Sequence, residues 1–361
     1  MTEAEREELK QCSRRLAELL YQEACEEDRL VSTLGAIEST VRTQLQEHVS
    51  PTIGAFFAPA ASGTQKGYPR TLNSLLGHLT LSSEPAKALG VEASTRQSPF
   101  LELCCLRLSA VLSYEKVQAE LEVQTGRRVS LKTQQRLVHR QTFERPHRDE
   151  PISEMSLDGG MIRLRTPKGE ESEWREYKAL NLGELEQGMA WFKDNDGLVT
   201  YANALKLAST VDCLGDGHDG VWSVYHPVGT QQQRREILDW FHLVENLHKI
   251  PGSNNRLLEA QAMLWRGEVD ATIALFTACK SDEARRFRGY LQRHRERIPH
   301  YAYYQAEGIP IGSGDVESLV KQISARVKLS GASWEASHVP QVLAHRCAYL
   351  NGKLAPAQWF R

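Results

Sequence analysis

The segment that decides the fold runs from Ser153 to Gly217: SEMSLDGGMIRLR (153–165), EWREYKALNL (173–182), GMAWFKD (188–194), LVTYANALKLA (198–208) and STVDCLGDG (209–217). The first three are strand-length runs of apolar residues, separated by Pro167-Lys168-Gly169-Glu170 and Gly183-Glu184-Leu185-Glu186. Strands joined by such short turns predict an antiparallel start to a sheet. A helical stretch then leads to a short apolar strand, STVDCLG, which ends in Asp216-Gly217. Asp158 lies in the first strand, and Asp216 directly follows the last. Further on, REILD (235–239) precedes Asp239-Trp240-Phe241-His242, which opens the helix LVENLHKI.

Downstream, IPIGSGDVESLVKQISARVKLSGASW (309–334) hands a glycine-rich turn over to a helix carrying one acid and then several cations. Gly312 and Gly314 permit backbone that other residues resist, and Ser313 or Asp315 is placed to cap the helix. Counting from Glu317, the working acid, Val320, Lys321 and Lys328 share a helical face. Arg326 points away from that face unless the helix ends before it. An acid followed by cations suits a metal ion with a phosphate beyond it; the plainer reading is a capped, charged helix.

Upstream, residues 1–50 read as helices, with Leu9, Cys12, Leu16, Leu19 and Leu20 and then Leu30, Leu34, Ile37, Val41 and Leu45 in stripes suited to a core or to dimerisation. Ser50-Pro51 reads as the stop. Residues 51–95 read as a linker with a little strand, in which LTLSSEPAKALGVEAS (79–94) offers no cysteine pair. From 96 to 145, three helices (FLELCCLRLSAVL, YEKVQAELEV and LKTQQRLVHR) carry the pattern of a helix-turn-helix, with Arg127, Arg128, Lys132, Arg136 and Arg140 as phosphate contacts. Residues 150–250 form the first part of the α/β core. A helical basic insertion, 251–305, follows, whose six arginines from Arg285 to Arg297 suit either a solvated face or a phosphate track. Residues 306–361 complete the chain with the Glu317 helix and carboxy-terminal helices.

Composition narrows the function classes. The 361 residues carry a net charge of -2, so any nucleic-acid binding rests on local patches. Seven cysteines without a C-x-x-C pair argue against cysteine-built zinc sites and disulfide frameworks. Apolar runs fall short of a membrane span and the amino terminus is too charged for a secretory signal, which predicts a cytoplasmic protein with no membrane partner.

Asp158 on a first strand, Asp216 at the end of a later strand and Glu317 on a following helix fit the three-carboxylate arrangement of a ribonuclease H-like α/β core. SLDGG, LGDGHDGVW, ILDWFHLVENL and IGSGDVESLVKQISARVKLSGASW resemble, in order, the blocks of the DDE transposases of the ISKra4 insertion-sequence family. The resemblance spans roughly Ser113 to Trp334, and GSG-x-VES with R-x-K-x-SG-x-x-W is its most specific part. It implies a DNA transposase with Asp158, Asp216 and Glu317 as the catalytic triad, holding Mg²⁺ or Mn²⁺, as two ions. Asp239 and His242 match the D-x-x-H string of related transposases, and Asp239 competes with Asp216 for the place of second acid; Asp216 is favoured because it directly ends a strand. The implied partners are the element's terminal inverted repeats and target DNA, bound by a homodimer or higher oligomer, and only from this resemblance does a nucleoid association follow. Lys321, Arg326 and Lys328 would hold phosphates beside the site. A transposase-derived DNA-binding protein with an unused core and a ribonuclease H-like structure-specific nuclease are the alternatives.

Overall fold

A computed structural model describes residues 1–26, 33–147, 149–183 and 187–360, which divide into two units, Met1–Leu137 and Val138–Arg361. In the first, α1 (Glu3–Glu26) and α2 (Leu34–Gln44) are joined by Gln44, whose buried amide donates to the Leu20 carbonyl at 2.7 Å. Leu30, expected in the second stripe, and the turn residues 184–186 lie outside the described residues. Ser50-Pro51 does not stop the run. A π-helical turn, Leu45–Val49, leads straight into α3 (Ser50–Ser62), with Pro51 in its first turn, where a missing N–H breaks no helical bond.

The stretch expected as a linker is folded. α3 packs on a hairpin, β1 (Pro69–Ser74) and β2 (Gly77–Ser82), followed by α4 (Ser83–Ala88), around Ala58, Leu72, Leu79, Leu81, Ala86 and Val91. Strand β1 escaped notice because one of its two buried positions is Ser74, whose hydroxyl donates to the Gly77 carbonyl inside the turn. A strand pair therefore stands where the sequence suggested a linker with a little strand. Next come α5 (Pro99–Ser109), α6 (Tyr114–Thr125) and α7 (Leu131–Arg140); α6 starts on the Ser113 side chain and ends at Gly126 with φ of 70°. The division between the units falls inside α7, earlier than the expected boundary at residue 145.

The second unit is mixed α/β. Its sheet runs β5 (Gly188–Phe192), β4 (Glu173–Asn181), β3 (Ile152–Leu164), β6 (Leu207–Gly215), β7 (Arg234–Leu238). β3, β4 and β5 are antiparallel, as the short turns predict, whereas β6 and β7 run parallel to β3. Helices α8 (Asn195–Ala204) and α9 (Asp219–Tyr225) supply the crossovers that parallel strands require. Side chains alternate between faces, so Met155 and Leu157 join one core while Ile162 and Leu164 join the other. Asp158 shares the second face, which packs against α15 (Gly314–Val327) and α16 (Val339–Leu350).

The other face carries α10 (Trp240–His248), α11 (Asn254–Trp265), α12 (Val269–Leu275), α13 (Asp282–Arg293) and α14 (Tyr301–Ala306). The basic insertion is part of this core through Leu257, Leu264, Phe276, Phe287 and Leu291. Its arginines are largely engaged by protein. Arg285 pairs with Asp282, Arg293 with Asp219, Arg295 with Asp270 and Arg297 with Glu236, while Arg288 donates to the Phe276 and Thr277 carbonyls. Among the described residues, no helix is long and apolar enough to cross a membrane.

Candidate active site

Three elements end at one place. β6 delivers Asp216 as its first residue beyond the strand; β7 delivers Asp239, the cap of α10; and the Ile309–Ser313 turn delivers α15, with Glu317 in its first turn. The Asp239 N–H donates to the Gly215 carbonyl at 2.9 Å, and the Trp240 N–H donates to the Ile311 carbonyl at 2.9 Å. Backbone alone thus ties all three ends together.

The acids differ in what they already hold. Asp158 accepts from the Gly159 N–H at 2.6 Å through Oδ1, and Asp216 accepts from the His218 N–H at 2.9 Å through Oδ1. Asp239 is fully buried and uses both oxygens: Oδ1 accepts from the His242 N–H at 2.7 Å, and Oδ2 accepts from the Ser313 N–H and from the Ser313 hydroxyl at 2.9 Å. Glu317 Oε1 lies 3.6 Å from His242 Nδ1, and Oε2 lies 3.6 Å from Lys321 Nζ. His242 Nδ1 is buried 3.2 Å from Asp239 Oδ1, yet it lacks the geometry of a hydrogen bond to either acid.

Charge couples these groups. Burial above all pushes Asp158 up; Gly159 and His242 oppose that rise, and the charges of Asp216 and Glu317 add to it. The Asp239 carboxylate beside it lifts His242 to about 9, against burial and with help from Glu317 and Asp216. Burial alone would raise Asp239, but the bonds from His242 and Ser313 outweigh it and hold this carboxyl below its usual range. By distance, Asp239, His242 and Glu317 form a three-ligand group, their donor atoms lying within 4.8 Å of one another. By lone pairs, Asp239 is the poorest member, because its oxygens are already occupied. Crowded carboxylates suit a divalent cation that takes oxygen ligands.

Two glycines follow from close approach. A Cβ on Gly217 would stand 2.1 Å from the ring of Tyr290, which α13 lays on the Asp216 turn; one on Gly312 would stand 2.7 Å from the Phe241 ring. Tyr290 is a contributor that sequence reading missed, since no motif links it to Asp216. Ser313, expected as a cap through its side chain, makes no such bond and gives its hydroxyl to Asp239 instead. Asp212, inside β6, pairs with Arg235, and Asp219, at the start of α9 beyond Asp216, pairs with Arg293.

Not every expected phosphate contact is available. Arg326 is buried and stacks over Trp334 at 4.9 Å, so it holds the end of α15 instead of reaching a ligand. The helix does not end before it, so Arg326 points away from the Glu317 face, as the face count expects. Lys321 and Lys328 are exposed. In the first unit Arg127 is half-buried and committed to Asn73 Oδ1 at 2.8 Å and His78, whereas Arg128, Lys132 and Arg136 are exposed, Arg128 lying 3.3 Å from Glu122. Arg140, in the second unit, is exposed at the end of α7.

Compared with models of known protein families and with curated proteins, the chain matches none.

Proposed function

We propose that the second unit is a ribonuclease H-like catalytic core and that the chain is a DDE transposase of the ISKra4 type, cleaving and joining DNA at element ends. One observation carries this reading. The charges of Asp216, just beyond the parallel neighbour, and of Glu317, on the helix covering that face, both act on Asp158 on the sheet's central strand. The strand order β5-β4-β3-β6-β7, three antiparallel and two parallel, supports the same core.

Asp158, Asp216 and Glu317 are the residues to hold Mg²⁺ or Mn²⁺, since each keeps an oxygen that accepts no hydrogen bond among the described residues. A pair of such ions, when bound, activates a water or 3′-hydroxyl on one side of a phosphodiester and stabilises the leaving oxygen on the other. The charge of Asp239, 3.2 Å from Nδ1, keeps the His242 imidazole protonated, and His242 would hold a phosphate oxygen. Lys321 and Lys328 neutralise backbone phosphates beyond Glu317. In the first unit α6 and α7 are the helix-turn-helix, with Arg128, Lys132 and Arg136 on phosphates, and the active species is a homodimer or larger on DNA.

The test is incubation of the purified chain with a duplex carrying the gene's flanking end and Mg²⁺ or Mn²⁺, beside Glu317→Gln. Metal-dependent nicks at the repeat boundary that are lost in the variant, with joined products, are expected. Cutting without joining and without regard to end sequence points to a structure-specific nuclease. Binding with no cut in either protein points to a DNA-binding protein with an unused core.

A further inference from the structure

Asp239 sits between the starts of two helices. It caps α10, and the N–H and hydroxyl it accepts on its other oxygen belong to Ser313, the residue that begins α15. Helix starts carry partial positive charge, so a buried carboxylate is stable there as the anion. Gly312 lets the turn come this near, because any side chain would strike Phe241 and stand 3.4 Å from Asp239 Oδ2. The Trp240 N–H to Ile311 carbonyl bond closes the same joint from the other side. His242 and Glu317 each lie one turn into their helices, and their 3.6 Å approach is set by this joint.

We infer that Asp239 is a positioning residue and not a metal ligand: with Ser313 it latches α10 to α15 and so sets where Glu317 stands. The inference rests on the reading of Asp158, Asp216 and Glu317 as the metal-holding acids. Supporting residues of this kind cost roughly tenfold to a hundredfold in metal affinity when removed, while loss of a ligand costs more.

The experiment combines Mn²⁺ titration, read by the electron paramagnetic resonance of the free ion, with amide hydrogen exchange of the peptide spanning residues 309–318, on the full chain. Asp239→Asn and Ser313→Ala are expected to weaken Mn²⁺ roughly tenfold to a hundredfold and to speed exchange of the turn whether or not Mn²⁺ is present. Glu317→Gln should abolish Mn²⁺ binding with the turn's exchange unchanged. Ser313→Thr, which keeps the hydroxyl, should restore both readouts. If Asp239→Asn does not fold, Ser313→Ala carries the test, because it leaves the carboxylate in place. The latch is overturned if Ser313→Ala matches wild type in both readouts, or if Asp239→Asn abolishes Mn²⁺ binding without loosening the turn. Should wild type bind no Mn²⁺, the metal-site reading fails by itself and exchange alone decides the latch: faster exchange in the variants supports it, unchanged exchange overturns it.

Discussion

Asp216 and Asp239 each follow a parallel strand of the same sheet, and each precedes a helix, yet their surroundings are opposite. Asp216 is partly exposed and spends one oxygen on the His218 N–H. Asp239 is sealed from solvent and spends both oxygens on the starts of α10 and α15. A carboxylate with an oxygen that accepts nothing can hold a cation; one whose two oxygens both accept from protein is suited to brace it. Position after a strand does not separate the two roles, but counting acceptors does.

The largest effects should fall on chemistry. Asp158→Asn, Asp216→Asn and Glu317→Gln are each expected to lower metal-dependent cleavage roughly a thousandfold or more, measured as initial nicking rates, while filter binding of DNA stays near wild type. Retained cleavage in any one removes that residue from the triad. Stability should show the reverse pattern. Asp239→Ala strands the Ser313 and His242 donors and is expected to cost about 3 kcal/mol in urea unfolding, whereas Asp216→Asn should stay within about 0.5 kcal/mol. Equal losses would erase the distinction between the two acids.

A smaller effect sharpens the Asp216 side. Gly217→Ala drives a methyl into the Tyr290 ring and is expected to destabilise by about 2 kcal/mol; adding Tyr290→Ala should cost less than the sum of the singles. Simple additivity would mean that ring and turn do not press on each other. For DNA, Lys321→Ala and Lys328→Ala should each flatten the slope of log affinity against log salt by about 1. Arg326→Ala, stacked on Trp334 and buried, should lower the melting temperature and leave the slope alone.

The smallest effect is on pH. Burial, then the Arg297 charge, holds His294 below its ordinary value. Below about pH 6.5 the unfolded chain takes up this proton before the folded one does. Stability from His294 is therefore complete above that pH and is lost as pH falls toward the folded value. His294→Gln should lessen the fall in melting temperature between neutral and mildly acidic buffer; an unchanged fall would assign it elsewhere.

Much of the second unit was legible because its signals are local. Period-two runs with short turns marked β3 to β5, an apolar run before Asp216-Gly217 marked β6, and the GSG turn marked the start of α15. Hidden features depended on partners distant in sequence. Tyr290 meets Gly217 across the fold, Ser313 turns from capping its own helix to Asp239, and Arg326 stacks on Trp334. None of these contacts leaves a periodic trace. Of the hairpin, β2 is the little strand expected here, whereas β1 is obscured by a buried serine at a position where a strand normally shows an apolar residue. The arginines from Arg285 to Arg297 read as one basic strip because most of their acidic and carbonyl partners, Asp219, Asp270, Glu236 and Phe276, come from other elements.

The most direct test compares turnover of Asp216→Asn and Asp239→Asn on one duplex carrying the flanking end, across a Mn²⁺ series that reaches saturation, with folding checked by circular dichroism. Asp216→Asn should be inactive, while Asp239→Asn should retain measurable nicking that rises with Mn²⁺ concentration. An inactive Asp239→Asn beside an active Asp216→Asn, both folded, would exchange the roles assigned to the two acids and contradict the account.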